Sequence, residues 1–152
     1  MGKTWFSVRV VYNKANEKGM KVKAKEMYLI DALSFTEAEA RAIGEMEPFA
    51  EDSLAVTAMK IEDITEIFNS EVGNTDKWYR IKVHFITVDN EDKQKKSAHI
   101  YLVKGSTTED AMSILRERMK GTLIDYVIYS VTETQYMDVF FYEEENVTDE
   151  TR

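Results

Sequence analysis

The chain has 152 residues, of which 43 % are hydrophobic and 32 % are charged, and it contains one proline and six glycines. These values are typical of globular proteins and exclude collagen-like repeats and long disorder. The absence of cysteine excludes disulfides, thiolate metal sites and cysteine nucleophiles. The segment MGKTWFSVRV lacks the apolar core of a signal peptide, and no stretch approaches about 18 uncharged apolar residues. We therefore expect a cytoplasmic protein that does not span a membrane.

Acidic residues outnumber basic ones, and half of the excess lies near the C-terminus. There are 28 Asp and Glu against 20 Lys and Arg, a net charge of −8. Residues 143–152 contribute five acids and one base, so the other 142 residues carry −4. The polar, like-charged segment predicts a flexible acidic tail. The acidity of the remainder argues against a domain built mainly to follow nucleic-acid phosphates.

The two halves of the chain align with each other. At an offset of 73 residues, WFSVRVVY beginning at Trp5 aligns with WYRIKVHF beginning at Trp78, and MYLIDALSFTEAEA aligns with IYLVKGSTTEDAMS. At an offset of 72, TEIF aligns with MDVF. A register kept this long predicts a tandem duplication. We therefore expect one domain over residues 1–152, made of two repeats at 4–72 and 77–142.

Each repeat is predicted to begin with a β-hairpin. Apolar and polar residues alternate over residues 5–12 and 78–85, which is the period of a half-buried strand. The turn-rich segments NKANEKG and DNEDKQKK follow, and then the apolar-rich segments KVKAKEMYLI and AHIYLV. Such a succession predicts two antiparallel strands joined by a turn.

A helix is predicted after each hairpin. Ser34 is followed three residues later by Glu, which forms a capping box, and Thr107 is followed at the same spacing by Asp. Apolar side chains then recur at helical spacing until Pro48 or Gly121 ends the pattern. These signals predict helices over residues 35–47 and 108–120.

A long extended segment closes each repeat, over residues 54–68 and 125–142. Both segments exceed the usual length of a strand, so we expect a bulge or break near 62–63 and 134–135. A right-handed crossover through the helix places the last strand parallel to the second and beside the first. The predicted fold is therefore α+β: a tandem duplication of a β-β-α-β unit, with the helices on one face of an antiparallel or mixed sheet.

Three segments resemble a known family. WF near the start, YLIDALSFTEAEARAIGEMEPF and MKGTLIDYVIYSVTETQYMDVF resemble an uncharacterised family of small proteins from Bacteroidetes and their phages and mobile elements. The resemblance extends from Thr4 to Tyr142. It implies a bacterial or phage cytoplasm, and it implies no catalytic or binding residues, because the family is a domain of unknown function.

Motifs with reactive chemistry are scarce. Gly2-Lys3-Thr4 has the letters that end a phosphate-binding loop, but it lacks the preceding strand and glycine. His84 and His99 are predicted on adjacent strands, where they would approach each other across the ladder, but two imidazoles are too few for zinc. We therefore expect no metal, no cofactor and no enzymatic activity.

One group of side chains suggests a binding surface on the face of the hairpin strands opposite the core. Its members are Trp5 and Arg9 in the first repeat and Trp78, Arg80, Lys82 and His84 in the second. Alternating aromatic and basic residues can stack bases and neutralise phosphates of a single strand. Alternatively, the tryptophans pack at the join between the repeats and the bases are the solvated side of the sheet.

Three functions follow as hypotheses. The first is a non-enzymatic binding or adaptor protein that acts through protein–protein contacts, self-association included. The alternative is a nucleic-acid accessory protein that uses the basic and aromatic face on single strands. A third is an enzyme for a nucleotide-like or small acidic substrate, which requires a deep pocket lined by groups with shifted pKa values.

Overall fold

The computed structural model describes residues 4–69 and 77–142. Within these ranges the chain is mostly β, with two sheets and two α-helices, and it belongs to the α+β class. The predicted tail at 143–152 and the end of the first predicted repeat, 70–72, lie outside the described residues. The elements are β1 (Thr4–Ala15), β2 (Lys21–Ala32), α1 (Phe35–Met46), a 3₁₀ turn (Glu47–Phe49), β3 (Leu54–Glu62), β4 (Glu66–Phe68), β5 (Lys77–Val88), β6 (Gln94–Gly105), α2 (Thr108–Arg118), β7 (Asp125–Glu133) and β8 (Tyr136–Phe140).

The chain divides into two compact units. Unit 1 contains the chain up to Asp63 and again from Gln135, and unit 2 is Ile64–Thr134. Each unit has a four-stranded sheet, in the order β3-β1-β2-β8 in unit 1 and β7-β5-β6-β4 in unit 2. In both sheets the first three strands pair antiparallel with one another, and the last strand pairs parallel with the third. Both sheets are therefore mixed.

The long closing segments break where the sequence predicts. Strand β3 ends at Glu62 and β7 ends at Glu133, and each runs antiparallel to the first strand of its hairpin, as expected. Beyond the break, the last strand of each predicted repeat does not pair with the other strands of that repeat. Strand β4 adds to the sheet of unit 2, and β8 adds to the sheet of unit 1. Apolar alternation marks a segment as a strand, but it carries no information about which sheet edge accepts it.

The two hairpin turns have the same construction. Asn16 accepts hydrogen bonds from the backbone N–H groups two and four residues later, both at 2.9 Å, and Asp89 does the same at 2.9 Å in the second hairpin. Gly19 and Asp92 then adopt φ values of 78° and 63° at equivalent positions. Asx side chains stabilise such turns, and Gly and Asp are among the residues that tolerate a left-handed conformation.

Both helices begin at the predicted caps. The Ser34 hydroxyl accepts a hydrogen bond from Glu37 N at 3.1 Å, and the Thr107 hydroxyl accepts one from Asp110 N at 3.0 Å. Helix α1 ends at Met46 and α2 at Arg118, so both are slightly shorter than predicted. Each helix buries its apolar stripe in a cluster with alternate residues of its own unit's hairpin strands. In unit 1 the cluster contains Phe6, Val8, Val10, Tyr12, Tyr28, Ile30, Ala38, Ala42 and Met46, and in unit 2 it contains Tyr79, Ile81, Val83, Tyr101, Val103, Ala111, Leu115 and Met119.

Candidate binding surface

The two tryptophans predicted on the binding face are buried. Trp5 is 6 % exposed, and its ring packs against Phe141 in a T-shaped arrangement with 5.4 Å between the ring centroids. Trp78 is 2 % exposed, and the Lys104 ammonium lies 5.7 Å from its ring centroid. A ring this deeply buried offers no face to an incoming base. The alternative, in which the tryptophans pack at the join between the repeats, stays a prediction.

The basic residues of the predicted face are divided between the units. Arg9 is exposed in unit 1, whereas Arg80, Lys82 and His84 are half-buried on β5 of unit 2. Arg80 takes part in interactions of its own within the folded chain. Lys82 and His84 are partly exposed to solvent, and both contact a residue that was not predicted from the sequence.

That residue is Tyr129 of strand β7, whose side chain is 64 % exposed. Its ring stacks on the His84 imidazole, with 4.4 Å between centroids and an interplanar angle of 22°, and the Lys82 ammonium lies 5.5 Å from its centroid. Tyr129 is the extra residue of a β-bulge, because Lys82 pairs with Ser130 while the next residue of β5 pairs with Ile128. Bulges re-aim side chains. Here the bulge places the Tyr129 ring beside the side chains of Lys82 and His84.

One apolar side chain extends this surface along the same edge strand. Val127 pairs with His84, on the face of the sheet that carries Lys82, and its side chain is 46 % exposed. Exposed aliphatic residues next to an aromatic ring are typical of surfaces that bind proteins. We call Lys82, His84, Val127 and Tyr129 the Tyr129 patch.

The hairpin behind the patch is locally cationic in an acidic chain. Strands β5 and β6 contain six Lys or Arg residues and no Asp or Glu, although the whole chain has a net charge of −8. The three acids of this hairpin, Asp89, Glu91 and Asp92, are confined to its turn. This hairpin, which carries Lys82 and His84, therefore attracts anionic groups more than the chain as a whole does.

The two histidines do not approach each other as predicted. Val83 pairs with His99 and His84 pairs with Ala98, so the imidazoles project from opposite faces of the sheet. His99 lies on the face of the core. Its Nε2 is 3.0 Å from the Ser97 hydroxyl and its Nδ1 is 3.2 Å from the Thr65 hydroxyl. The register of β5 and β6 is offset by one residue from the one that would place the two histidines on the same face. Alternation of apolar and polar residues does not fix this register.

A buried carboxylate occupies the position of unit 1 that corresponds to His99. Glu26 is 9 % exposed and accepts hydrogen bonds from the hydroxyls of Tyr12 and Tyr28, both at 2.7 Å, and from the Lys14 ammonium at 3.0 Å. Burial opposes ionisation of Glu26, but the three hydrogen bonds outweigh it and lower its pKa. Burial and the bond to Glu26 raise the pKa of Tyr12 to about 12. All polar groups of this cluster have partners, which makes it a structural network.

Within residues 4–69 and 77–142, no group of three or more His, Cys, Asp or Glu side chains has a metal-binding arrangement. Neither helix in these ranges is long and apolar enough to cross a bilayer.

Two sheets of three antiparallel strands and one parallel strand, with one α-helix in each unit, define a small α+β protein. The chain matches the family described as Domain of unknown function (DUF4494) over residues 4–142, and it belongs to that family. No curated protein and no solved structure matches it.

Proposed function

We propose that the chain is a non-enzymatic binding protein that recognises a protein partner through the Tyr129 patch. The observation that carries the proposal is the exposure of Tyr129 at a bulge, in contact with His84 and Lys82. Exposed aromatic residues flanked by cations are common anchors of protein interfaces, because they bury a large area with little loss of side-chain entropy. The neighbouring Val127 adds apolar surface that a phosphate backbone would not require.

The partner is expected to present an acidic segment with an apolar anchor. Lys82 supplies a positive charge beside the ring, and strands β5 and β6 contain no Asp or Glu. The bulge and the acids at the ends of β7, Asp125 and Glu133, disfavour pairing of a further strand along this edge. We therefore place the contact on the face of the sheet and not along its backbone edge.

A photo-crosslinking amino acid at position 129 tests the proposal. Thr57 occupies the corresponding bulge of unit 1, because Arg9 pairs with Ala58 and the next residue with Val56, so the same group at position 57 is the matched control. In cells of the organism that carries the gene, we expect discrete protein adducts from position 129 that position 57 does not give. Lys82→Ala should reduce their yield. Equal adducts from both positions, or adducts insensitive to Lys82→Ala, would contradict the proposal.

Single-stranded nucleic acid is a second candidate, and one observation favours it. The Tyr129 ring with the adjacent Lys82 ammonium resembles a stacking platform beside a phosphate-binding cation. Fluorescence anisotropy with labelled oligo(dT) and oligo(U) over a salt series tests this function. It requires an affinity that falls steeply with salt and is weakened by Tyr129→Ser. No measurable affinity at low salt would remove this candidate and leave the protein partner.

We further propose that the two units arose by tandem duplication and that each helix covers a single face of its sheet. The caps at Ser34 and Thr107, the turn residues Asn16 and Asp89, and the coincident bulges support a common origin.

A location in the cytoplasm of a bacterium, or of one infected by a phage, also belongs to this proposal. It rests on the sequence resemblance, and the genomic neighbourhood of the gene would test it.

A further inference from the structure

Strands β8 and β4 occupy equivalent edge positions in their two sheets, beside β2 and beside β6. We call each of these positions a slot. The sequence of each slot reads acid, branched aliphatic residue and Phe, at residues 138–140 and 66–68. Both segments pair in parallel with the second hairpin strand in the same register, with the acid opposite Tyr28 in unit 1 and opposite Tyr101 in unit 2. In each unit the Phe ring stacks on that tyrosine, with 5.5 Å between the centroids. The slot is thus a strand-binding site with its own sequence preference.

In unit 1, additional polar contacts hold the residues that follow β8. Asp31 is fully buried and accepts the Tyr142 backbone N–H at 3.0 and 3.1 Å from its two carboxylate oxygens. The Arg41 guanidinium bonds to Asp31 and lies 4.1 Å from the centroid of the Tyr142 ring. The Tyr142 hydroxyl donates to Glu45 at 2.5 Å. Side chains of β2 and α1 therefore recognise the backbone and the ring that follow β8.

The strand that fills this slot is attached to the other unit by a short connection. Only Thr134 and Gln135 separate β7 from β8. Thr134 is held within unit 2, since its backbone N–H and its hydroxyl both donate to the Trp78 carbonyl at 2.8 Å. Short hinges of this kind favour the exchange of an element between identical chains, and the exchanged strand makes the same contacts in its new host.

We propose that a second copy of this chain is a partner for the unit 1 slot. Residues 135–142 of one copy add to β2 of the other copy, and the reciprocal strand fills the slot of the first. All contacts of Phe140 and Tyr142 recur in the exchanged dimer, so the balance between monomer and dimer depends on the hinge and on protein concentration.

Disulfide trapping tests this proposal in a chain that has no native cysteine. Leu29 pairs directly with Val139. Two full-length variants, Leu29→Cys and Val139→Cys, are unfolded, mixed at high concentration, refolded together and oxidised. We expect a disulfide-linked product of twice the chain mass, because only a strand supplied by the other copy brings these two thiols together. Leu29→Cys mixed with Thr57→Cys, whose thiol lies on an exposed part of β3 outside the Tyr129 patch, is the control for random collision.

The double variant Leu29→Cys/Val139→Cys reports the closed monomer. If it forms an internal bond while the mixture of single variants yields no more dimer than the control, strand exchange between copies does not occur.

A measurement on the unaltered protein keeps the proposal testable if a cysteine variant fails to refold. Isotope-labelled and unlabelled chains are refolded together and examined by native mass spectrometry. Exchange predicts mixed dimers that form only when the chains are unfolded before mixing, whereas dimers joined through the Tyr129 patch would mix without unfolding and would be reduced by Tyr129→Ser. Monomers alone at all concentrations, or dimers that mix freely while folded, would overturn the proposal. Neither result bears on the protein partner proposed for the Tyr129 patch.

Discussion

The side chains of Ser34 and Thr107 begin the two helices in the same way, but the surroundings of their helices differ. Each hydroxyl accepts a backbone N–H of the first turn, and the acid three residues later accepts a backbone N–H just before the cap. Helix α2 has two acids in its first turn and two arginines in its last turn, whereas α1 has one acid and no base. Charges placed in this manner stabilise a helix through its dipole, so α2 depends less on its cap.

Replacement of these caps is therefore expected to have unequal effects. Ser34→Ala should lower the free energy of unfolding by about 1 kcal/mol, since it leaves the N–H of Glu37 without its partner. Thr107→Ala should cost less, because the charged ends of α2 remain. Denaturant titration of both variants measures the difference. A larger loss for Thr107→Ala would contradict the assignment of the dipole as the compensating factor.

Glu26 provides a prediction of pH dependence. Its folded pKa is lowered by the hydrogen bonds from Tyr28, Tyr12 and Lys14, which outweigh its burial. A group with a lowered pKa stabilises the fold above its unfolded pKa of about 4.3, and this contribution is lost as the pH falls through the folded value. Glu26→Gln should thus flatten the fall in stability below about pH 4.3. Unfolding titrations of both proteins between neutral and acidic pH would measure it, and parallel curves would contradict the role of Glu26.

At the scale of elements, the sequence specifies what each segment is more reliably than where it goes. The alternation of β1 and β5, the capping boxes and the breaks near 62–63 and 134–135 are all visible as local patterns, and the structure contains them. The placement of β4 and β8 is not local, because residues 136–140 pair with a strand more than 100 residues earlier. Tyr129 was missed for a related reason. Its bulge changes the face to which the side chain points, and plain alternation does not reveal a bulge.

Strand β5 offers a test of the difference between its buried and its half-exposed residues. Trp78→Ala should lower the free energy of unfolding by about 3–5 kcal/mol, because the ring is 2 % exposed. Lys82→Ala, at a position that is half-exposed on the same face of the strand, should change it by no more than about 0.5 kcal/mol. Chemical denaturation of both variants makes the comparison. A small loss for Trp78→Ala would show that its packing contributes little and would reopen a role for this ring in binding.

The positions of β4 and β8 within a single chain affect the folding of the whole molecule. Unit 1 is incomplete until the chain beyond Thr134 has been positioned, and unit 2 is incomplete until β4 is in place. Each of these edge strands directly follows, along the chain, the last antiparallel strand of the other unit: β4 follows β3, and β8 follows β7. A sheet that lacks one of four strands loses backbone hydrogen bonds and the stacked Phe–Tyr pair together. We expect these connections between the units to couple their folding.

This coupling is measurable because each unit contains one tryptophan, Trp5 in unit 1 and Trp78 in unit 2. In Trp78→Phe the fluorescence reports unit 1, and in Trp5→Phe it reports unit 2. Phe140→Ala and Phe68→Ala then form a matched pair that weakens β8 in its slot or β4 in its slot. If the units unfold as one, any loss of stability is shared in a single cooperative transition. Phe140→Ala, which weakens unit 1, should then also shift the denaturation midpoint seen by the unit 2 reporter. Phe68→Ala, which weakens unit 2, should also shift the midpoint seen by the unit 1 reporter. A shift confined to the unit that contains the replaced Phe contact would show that the exchanged strands do not couple the units, and that each slot acts only as a local edge of its own sheet.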